Sequence, residues 1–254
     1  DEPNKAFAGL WTYRRILHKE NFAAGSFDSD ITLVNYPQID YLLGDLCSME
    51  NGKWKMENNK SEDQRPKTKD QLISEAKQQS LSFLYFLQTE LGFKGLKIRP
   101  DVVGTTDGLA KMPYIRESRR IKAEFTILEQ HVSAKCRPNQ ILAEQFHDSV
   151  GVGFYRIDLH PTVGGENYLD VESLPFQIPL GALIPERVKN LLAACKNIGT
   201  THITNGCYRL HPIEWNIGEA VGNLLAFCFE RKSEPKQVRN EAKLLHEFQS
   251  VLLR

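Results

Sequence analysis

The sequence has little that would direct it to nucleic acid or to a membrane. Its 32 Lys and Arg residues are balanced by 32 Asp and Glu residues, so the formal net charge is zero. A neutral chain lacks the broad positive surface that attracts nucleic acid or anionic lipid. It also lacks any apolar run that approaches the roughly 18 residues of a membrane span. We therefore expect no nucleic acid and no membrane among its partners.

Cysteine is also sparse, and its spacing carries no metal or disulfide signature. The five cysteines are odd in number and no two have C-x-x-C spacing, which argues against a disulfide framework or a zinc ribbon. We expect no metal site and interpret the cysteines as small buried residues. A redox-active thiol pair is the alternative that the sequence leaves open.

The sequence contains no G-x-G-x-x-G turn, the motif with which a strand–turn–helix unit holds a dinucleotide pyrophosphate. Gly151 and Gly153 are followed by Phe154-Tyr155-Arg156 without a third glycine, and Gly104 and Gly108 have the wrong spacing. The composition, with 41% hydrophobic and 25% charged residues, is that of an ordinary globular protein. The length allows one large domain or two small ones.

The hydrophobic pattern predicts a mixture of helices and strands. Apolar residues at helical spacing, followed by Gly92 as a C-cap, predict a helix over 69–91. A terminal amphipathic helix is predicted from Val238 to Leu252. Residues 1–45 are predicted to be loop-rich. Short strands are predicted at 96–99, 119–128, 150–159, 169–178 and 191–194. The fold class is therefore α/β, or more broadly a mixed α+β arrangement.

The most informative stretch runs from Asn190 to Glu230. We predict a buried parallel strand at its start, then a polar loop, then a helix over 217–230 that opens on Gly218 and carries Gly222 one turn later. Such a helix start would offer backbone N–H groups and a positive dipole end to an anionic ligand. The alternative is a helix whose two glycines pack closely against a strand.

Four further motifs stand in a characteristic order along the chain: DITLVNYPQIDYLLGD (30–45), RPDVVGTTDGLAKMPYIRESRRI (99–121), GFYRIDLHP (153–161) and LPFQIPLGALIP (174–185). Together with the stretch just described, they resemble the FAD-dependent oxidoreductases of glutathione-reductase-type fold, in particular a xanthan-lyase-like branch. The resemblance implies a partial FAD/NAD(P)-binding-type fold with a mixed-sheet substrate domain.

The same resemblance implies a division into four parts: an N-terminal segment (1–29), a substrate or cap domain (30–175), the C-terminal part of an FAD-binding domain (176–231) and a C-terminal helix (232–254). Family members begin with a G-x-G-x-x-G unit that holds the ADP half of FAD. A missing N-terminal FAD-binding portion of the same protein is therefore an expected partner of this chain.

The resemblance also implies a function and a cofactor. The intact enzyme is expected to transfer a hydride from a small organic substrate to FAD, with the G-x-A-x-G helix start facing the flavin ring. The residues of that helix start are Gly218, Ala220, Val221 and Gly222. The other cofactor-binding residues that it implies are Lys196, Asn197, Gly199, Thr200, Thr201, Asn205, Gly206 and Arg209.

Two constellations supply candidates for catalysis, and Tyr155 belongs to the second of them. A further candidate is His202, which either contacts the flavin or substrate or is an ordinary loop histidine. On a strand, Arg116 and Arg120 would share one face and offer a guanidinium to a substrate carboxylate. The alternative is a salt-bridged strand edge in which Glu117 pairs with Arg119 or Arg120.

His160 belongs to the second constellation. It shares a predicted strand face with Arg156 and Asp158, so it is a candidate proton acceptor for substrate oxidation. The alternative is a polar, solvated strand face.

The absent dinucleotide motif keeps a second function open. In this alternative, the chain is a non-catalytic relative that has lost FAD and binds a ligand or a partner through the pocket that holds FAD in the enzymes. A carbohydrate lyase ranks last, because no stripe of exposed aromatic residues marks a polysaccharide groove.

Overall fold

The computed structural model describes residues 2–46, 67–163, 165 and 168–253. The chain divides into two compact units, Asp1–Tyr114 and Ile115–Arg254. The described residues form eight α-helices and six short strands, which pair two by two into antiparallel sheets. The predicted mixture of helices and strands is thus confirmed. The four-part domain division stays a prediction.

The first unit is organised around a long helix. Its helices are α1 (Glu2–Tyr13), α2 (Lys69–Thr89) and α3 (Pro100–Val103), and its strands are β1 (Arg15–Leu17) and β2 (Ile31–Thr32). The buried centre consists of Phe7, Tyr36 and Leu87. The rings of Phe7 and Tyr36 meet edge to face at 6.3 Å between centroids, a favoured aromatic geometry.

Helix α2 confirms the prediction over 69–91 to within two residues at its C-terminal end. Its N-terminus is fixed by a capping box, in which the Thr68 hydroxyl accepts from the Gln71 N–H and the Gln71 side chain accepts from the Thr68 N–H. The chain leaves the helix through Gly92, whose φ of +76° suits a residue without a side chain.

The second unit contains the remaining elements. Its helices are α4 (Glu129–Val132), α5 (His202–Tyr208), α6 (His211–Arg231), α7 (Pro235–Asn240) and α8 (Ala242–Leu252), and its strands are β3 (Ser149–Gly153), β4 (Ile157–Leu159), β5 (Leu169–Val171) and β6 (Phe176–Pro179). Strand β3 pairs with β6, and β4 pairs with β5 with Asp158 opposite Asp170.

The core of the second unit lies between the sheets and helices α5 and α6. Ile157 of β4, Ile178 of β6 and Ile217 of α6 are fully buried in it. Tyr208 stacks on Phe176 with ring centroids 4.3 Å apart, and its hydroxyl donates to the carbonyl of Gln177 at 2.7 Å. Burial raises the pKa of Tyr208 well above its usual value, so it remains a neutral donor.

Several predicted strands are wrong or are shorter than predicted. No strand forms at 96–99 or at 191–194, and Leu191 is 50% exposed rather than covered. The stretch 119–128 makes only isolated bridges, at Ala123 and Ile127, and the chain bends at Glu124 and Phe125 between them. The stretch 150–159 divides into β3 and β4, and 169–178 divides into β5 and β6. Among these stretches, a neighbouring strand completes a ladder only where β3 meets β6 and where β4 meets β5, so alternation alone does not predict a ladder.

Helices replace two of the predicted irregular regions. Helix α1 lies in the part predicted to be loop-rich, and α5 lies in the predicted polar loop after 194. The terminal helix is interrupted at Glu241, which is both the C-cap of α7 and the N-cap of α8. The predicted helix over 217–230 exists, but it begins at His211.

Candidate functional site

A buried arginine follows the last residue of α5. Arg209 caps this helix, and its side chain is 5% exposed. Its Nε lies 2.8 Å from Oε1 of Glu117, with the N–H directed off the line between the two atoms, so this contact is an ion pair. Its Nη2 donates to the main-chain carbonyl of Asp158 at 2.8 Å and lies 3.5 Å from that residue's Oδ2. One guanidinium therefore holds two separate segments together.

His160 stands beside this arrangement. It follows β4 directly, and its Nε2 lies 3.7 Å from Oδ2 of Asp158. The side chain of His160 is 18% exposed, so a small molecule reaching it would meet a largely desolvated imidazole. We call Glu117, Asp158, His160 and Arg209 the Arg209 cluster. It brings together an acid, a base and a fixed cation, which is the composition of a proton-transfer site.

The predicted arginine face around Arg116 and Arg120 does not form, because the chain bends at Arg116 and Glu117 instead of continuing as a strand. Arg120 donates from its Nη1 to the carbonyl of Ser118 at 2.7 Å. Glu117 is the member of this motif that enters the Arg209 cluster. Its predicted pairing with Arg119 or Arg120 is therefore corrected to a pairing with Arg209.

The second predicted constellation is only partly brought together. Asp158 and His160 lie in the Arg209 cluster, as their shared strand face predicts. Arg156 instead pairs with Asp170 on the neighbouring strand at 2.6 Å, and this pair is largely exposed. The sequence patterns associate Asp158 with His160 but carry no signal that joins Asp158 to Arg209, because that contact depends on how α5 packs on β4.

The predicted cofactor-binding residues that lie between Lys196 and Gly206 bond extensively within this segment and to the chain around it. Lys196 donates from Nζ to the carbonyl of Ile115 at 2.5 Å. Asn205 donates from Nδ2 to the carbonyl of Lys196 at 2.8 Å and to the Thr200 hydroxyl at 3.3 Å. The Thr201 hydroxyl accepts from the N–H of Thr204 and caps α5. These contacts rigidify the segment that leads to Arg209.

Two glycines of this segment pack against backbone. A Cβ at Gly199 would lie 2.4 Å from the carbonyl oxygen of Phe125, and one at Gly206 would lie 3.1 Å from the main-chain atoms of Asp158. Gly206 thereby allows α5 to approach β4, which places Arg209 next to Asp158. Asn197 is exposed, and its carbonyl accepts from the N–H of Ile121 at 2.9 Å.

The predicted helix start at Gly218 is wrong. Gly218, Ala220, Val221 and Gly222 lie inside α6, whose N-cap is Leu210 and whose first turn contains Pro212. The N–H groups of Ile213 and Glu214 both donate to the carbonyl of Leu210, and proline has no N–H to offer. The amide-rich helix start predicted to face a flavin ring therefore does not lie at these glycines.

His202 and Tyr155 are not among the four residues of the Arg209 cluster. His202 is the first residue of α5 and is partly exposed. Tyr155 packs partly buried against the core, and its carbonyl accepts from the Ser173 hydroxyl at 2.6 Å. Their predicted catalytic roles stay predictions.

Two of the cysteines sit in surroundings that disfavour a thiolate. Burial raises the pKa of the Cys207 thiol to about 12. Burial, and then the hydrogen bond to Glu214, raise the pKa of Cys195, whose Sγ lies 3.2 Å from a carboxylate oxygen of Glu214. Because the thiolate is the reactive form, neither sulfur is activated as a nucleophile.

Among the residues that the structure describes, no group of three or more His, Cys, Asp or Glu side chains is arranged to hold a metal ion. None of the helices in the described ranges has the length and apolar character needed to cross a membrane.

Comparison with known protein families identifies the family of this chain. The family model described as FAD dependent oxidoreductase matches residues 2–252, which is nearly the whole chain. No curated protein and no solved structure matches the chain.

Proposed function

The chain belongs to the FAD dependent oxidoreductase family, and from that premise we propose that it forms part of an enzyme that oxidises a small organic substrate by hydride transfer to FAD. The observation that carries this proposal is the Arg209 cluster, which places His160 beside Asp158 within a largely buried set of charges. The family match supplies the cofactor, and the cluster supplies the proton chemistry that such an oxidation needs.

The residues near α6 fit the flavin half of FAD. A Cβ at Gly222 would meet nothing within 4 Å, and one at Gly218 would meet only the carbonyl of Ala194 at 3.5 Å, so this helix face is open. Asn205 is 1% exposed, and its Oδ1 is buried without a hydrogen-bond donor. A ribityl hydroxyl is a donor of the kind that this oxygen requires. Asn205 would hold the ribityl chain of the group, which when bound supplies the hydride-accepting ring.

Within the Arg209 cluster, each residue has a separate role. His160 accepts the proton that the substrate loses at the oxidised carbon's oxygen or nitrogen. Asp158, 3.7 Å away, stabilises the imidazolium that results. Arg209 is a positioning residue, because its hydrogen bond to the Asp158 carbonyl fixes the strand that carries both groups. Glu117 balances the buried charge of Arg209.

A stripe of small residues on α6 suggests where a nucleotide-binding portion docks. Gly218, Gly222 and Ala226 recur every fourth residue and so share one helix face. Trp215 and Phe229 flank them and are 80% and 83% exposed. Small residues let another backbone approach closely, and large exposed aromatics gain most from being covered. The proposed occupant carries the G-x-G-x-x-G turn that this sequence lacks and completes the FAD site.

Replacing His160 with glutamine tests the catalytic proposal. The FAD-loaded full protein is mixed anaerobically with a panel of small alcohols, amines and hydroxy acids, and bleaching of the flavin absorbance is followed. For the substrate that reduces wild type, we expect His160→Gln to slow reduction by about 100-fold, because a general base is lost. His246→Gln, an exposed histidine on α8, should leave the rate unchanged.

Two results would contradict this assignment. An unchanged reduction rate in His160→Gln would remove His160 from proton transfer while leaving the flavoenzyme intact. A colourless full protein that binds no added FAD would instead favour the non-catalytic binding module.

Replacing Gly222 with leucine tests the docking stripe. A bulky side chain there should hold the nucleotide-binding portion away and weaken its association by about tenfold or more. The separately expressed portion is titrated against the chain, and association is followed by retention of FAD. Lys243→Leu adds the same side chain to an exposed position of α8 and serves as the control. Equal association of both variants would remove the stripe as the docking surface.

A further inference from the structure

A surface pocket of about 590 Å³ lies in the second unit and shares no residue with the Arg209 cluster. Its walls include the rings of Phe125, His131 and Phe146 and the charged side chains of Arg137 and Glu144. These residues come from the segment that precedes α4, from α4 itself and from the chain that follows it. The pocket therefore combines an aromatic surface with polar groups and is open to solvent.

The three rings pack on one another and so hold a fixed arrangement. Phe125 and His131 stack with centroids 5.4 Å apart, and Phe146 stands edge-on to both, at 5.2 Å and 5.8 Å. Such mutual packing restricts the rotamers of each ring. A planar ligand would therefore meet an aromatic wall that is already formed, which lowers the entropy lost on binding.

The polar groups present donors and an acceptor to a ligand. The Nδ1 of His131 accepts from the N–H of Leu128 at 3.0 Å, so the neutral ring carries its proton on Nε2 as a donor. Burial lowers the pKa of His131, which favours that neutral form. Arg137 donates from Nη1 to Glu144 at 2.6 Å, while its Nε is buried and has no hydrogen-bond partner in the part of the chain described.

Charge decides which ligand suits these groups. Arg137 and Glu144 neutralise one another, so the pocket gains little from a net charge on the ligand. The side chain of Arg137 is 25% exposed, so its guanidinium N–H groups can donate to an acceptor oxygen on a ligand. The Glu144 carboxylate beside it accepts an N–H. A carboxamide or lactam presents this pair of an acceptor and a donor on one planar edge.

We propose that this pocket binds a neutral planar aromatic carboxamide or lactam, with its ring against Phe125 and Phe146 and its amide edge against Arg137 and Glu144. The proposal does not depend on the oxidoreductase function. Benzamide is a suitable probe, and benzoate and benzylamine have nearly the same shape but carry a negative and a positive charge.

Alkylation of Cys136 measures occupancy in the wild-type protein. Cys136 lines the pocket and is exposed, whereas Cys195 is exposed elsewhere and serves as an internal reference. Peptide mass spectrometry follows iodoacetamide labelling of both. At about 10 mM benzamide, which suits a fragment of millimolar affinity, we expect labelling of Cys136 to slow by about threefold or more and that of Cys195 to stay constant. Equal slowing of both, or stronger protection by benzoate or benzylamine, would overturn the proposal.

A double variant gives a second measurement. Arg137→Gln with Glu144→Gln removes both charges, and we expect the affinity for benzamide measured by calorimetry to fall by about tenfold. Arg156→Gln with Asp170→Asn removes an exposed pair of the same 2.6 Å length and should leave the affinity unchanged. Unchanged affinity in a folded pocket variant would contradict the proposal. If that variant does not fold, the alkylation result on wild type decides.

Discussion

Replacing Arg209 with methionine is expected to lower the free energy of unfolding by about 3–5 kcal/mol, the cost of removing one partner from a buried ion pair. Methionine retains an unbranched, flexible apolar stem, so loss of packing contributes little. The loss comes from Glu117 and Asp158, whose side chains are 11% and 23% exposed and would lose the guanidinium that pairs with both. Urea unfolding of the chain, followed by circular dichroism, measures the change.

Two comparison variants distinguish the effect of removing a buried ion pair from the effect of removing a charge at the surface. Arg156→Met breaks the exposed pair with Asp170, and it should change the free energy of unfolding by less than about 1 kcal/mol. Arg209→Lys keeps the charge but cannot bond Glu117 and the Asp158 carbonyl together, so it should recover less than half of the loss. If Arg209→Met and Arg156→Met unfold at the same urea concentration, Arg209 does not hold the cluster together.

The sequence predicts best where local signals agree. Helix α2 has apolar residues at helical spacing and a threonine followed three residues later by glutamine, which is a capping pattern. Its bounds depend on these local features alone. The pairing of Asp158 and His160 is also local, because alternate residues of a strand share one face.

The start of α6 was harder to predict because two local signals compete. Gly218 and Gly222 suggest a helix opening for ligand approach, whereas Pro212 is a residue favoured in the first helical turn. Pro212 lies in the true first turn of the helix. The sequence signal for that start is weak, because the N-cap residue Leu210 has no side-chain acceptor. Helix α5 has a capping box with Thr204 where glutamate or glutamine is usual, so its signal is weak.

The Arg209 cluster could be predicted only in part, because it depends on tertiary packing. Arg209 is recognised in the sequence as a candidate ligand contact, and Glu117 as one half of a salt bridge. The contact between Arg209 and Asp158 depends on Gly206, because a Cβ there would lie 3.1 Å from main-chain atoms of Asp158 and crowd the approach of α5 to β4. No periodicity records which helix packs on which strand, so the partner of a buried charge is not readable from spacing alone.

Replacing Gly199 with alanine is expected to lower the free energy of unfolding by about 3 kcal/mol, the upper part of the range for overpacking. The added Cβ would lie 2.4 Å from the Phe125 carbonyl oxygen and 2.6 Å from the Cβ of Ala123. Neither atom belongs to a flexible side-chain end. The backbone there is also tied by bonds from Gly199 to the Ala182 carbonyl and from Ile127 to the Gly199 carbonyl, so it cannot shift without losing them.

Gly222→Ala makes the same chemical change where space is open, since an added Cβ would meet nothing within 4 Å. Inside α6 it should raise the free energy of unfolding by about 1 kcal/mol, the helix propensity difference between glycine and alanine. Changes of opposite sign in the free energy of unfolding, measured in urea, would show that backbone packing requires a glycine at 199. They would also show that this chain's own fold does not require a glycine at 222. If the free energy of unfolding of Gly199→Ala is within about 1 kcal/mol of the wild-type value, the backbone of Phe125 can move away from an added Cβ more easily than we expect. The segment leading to Arg209 would then not be rigidly placed.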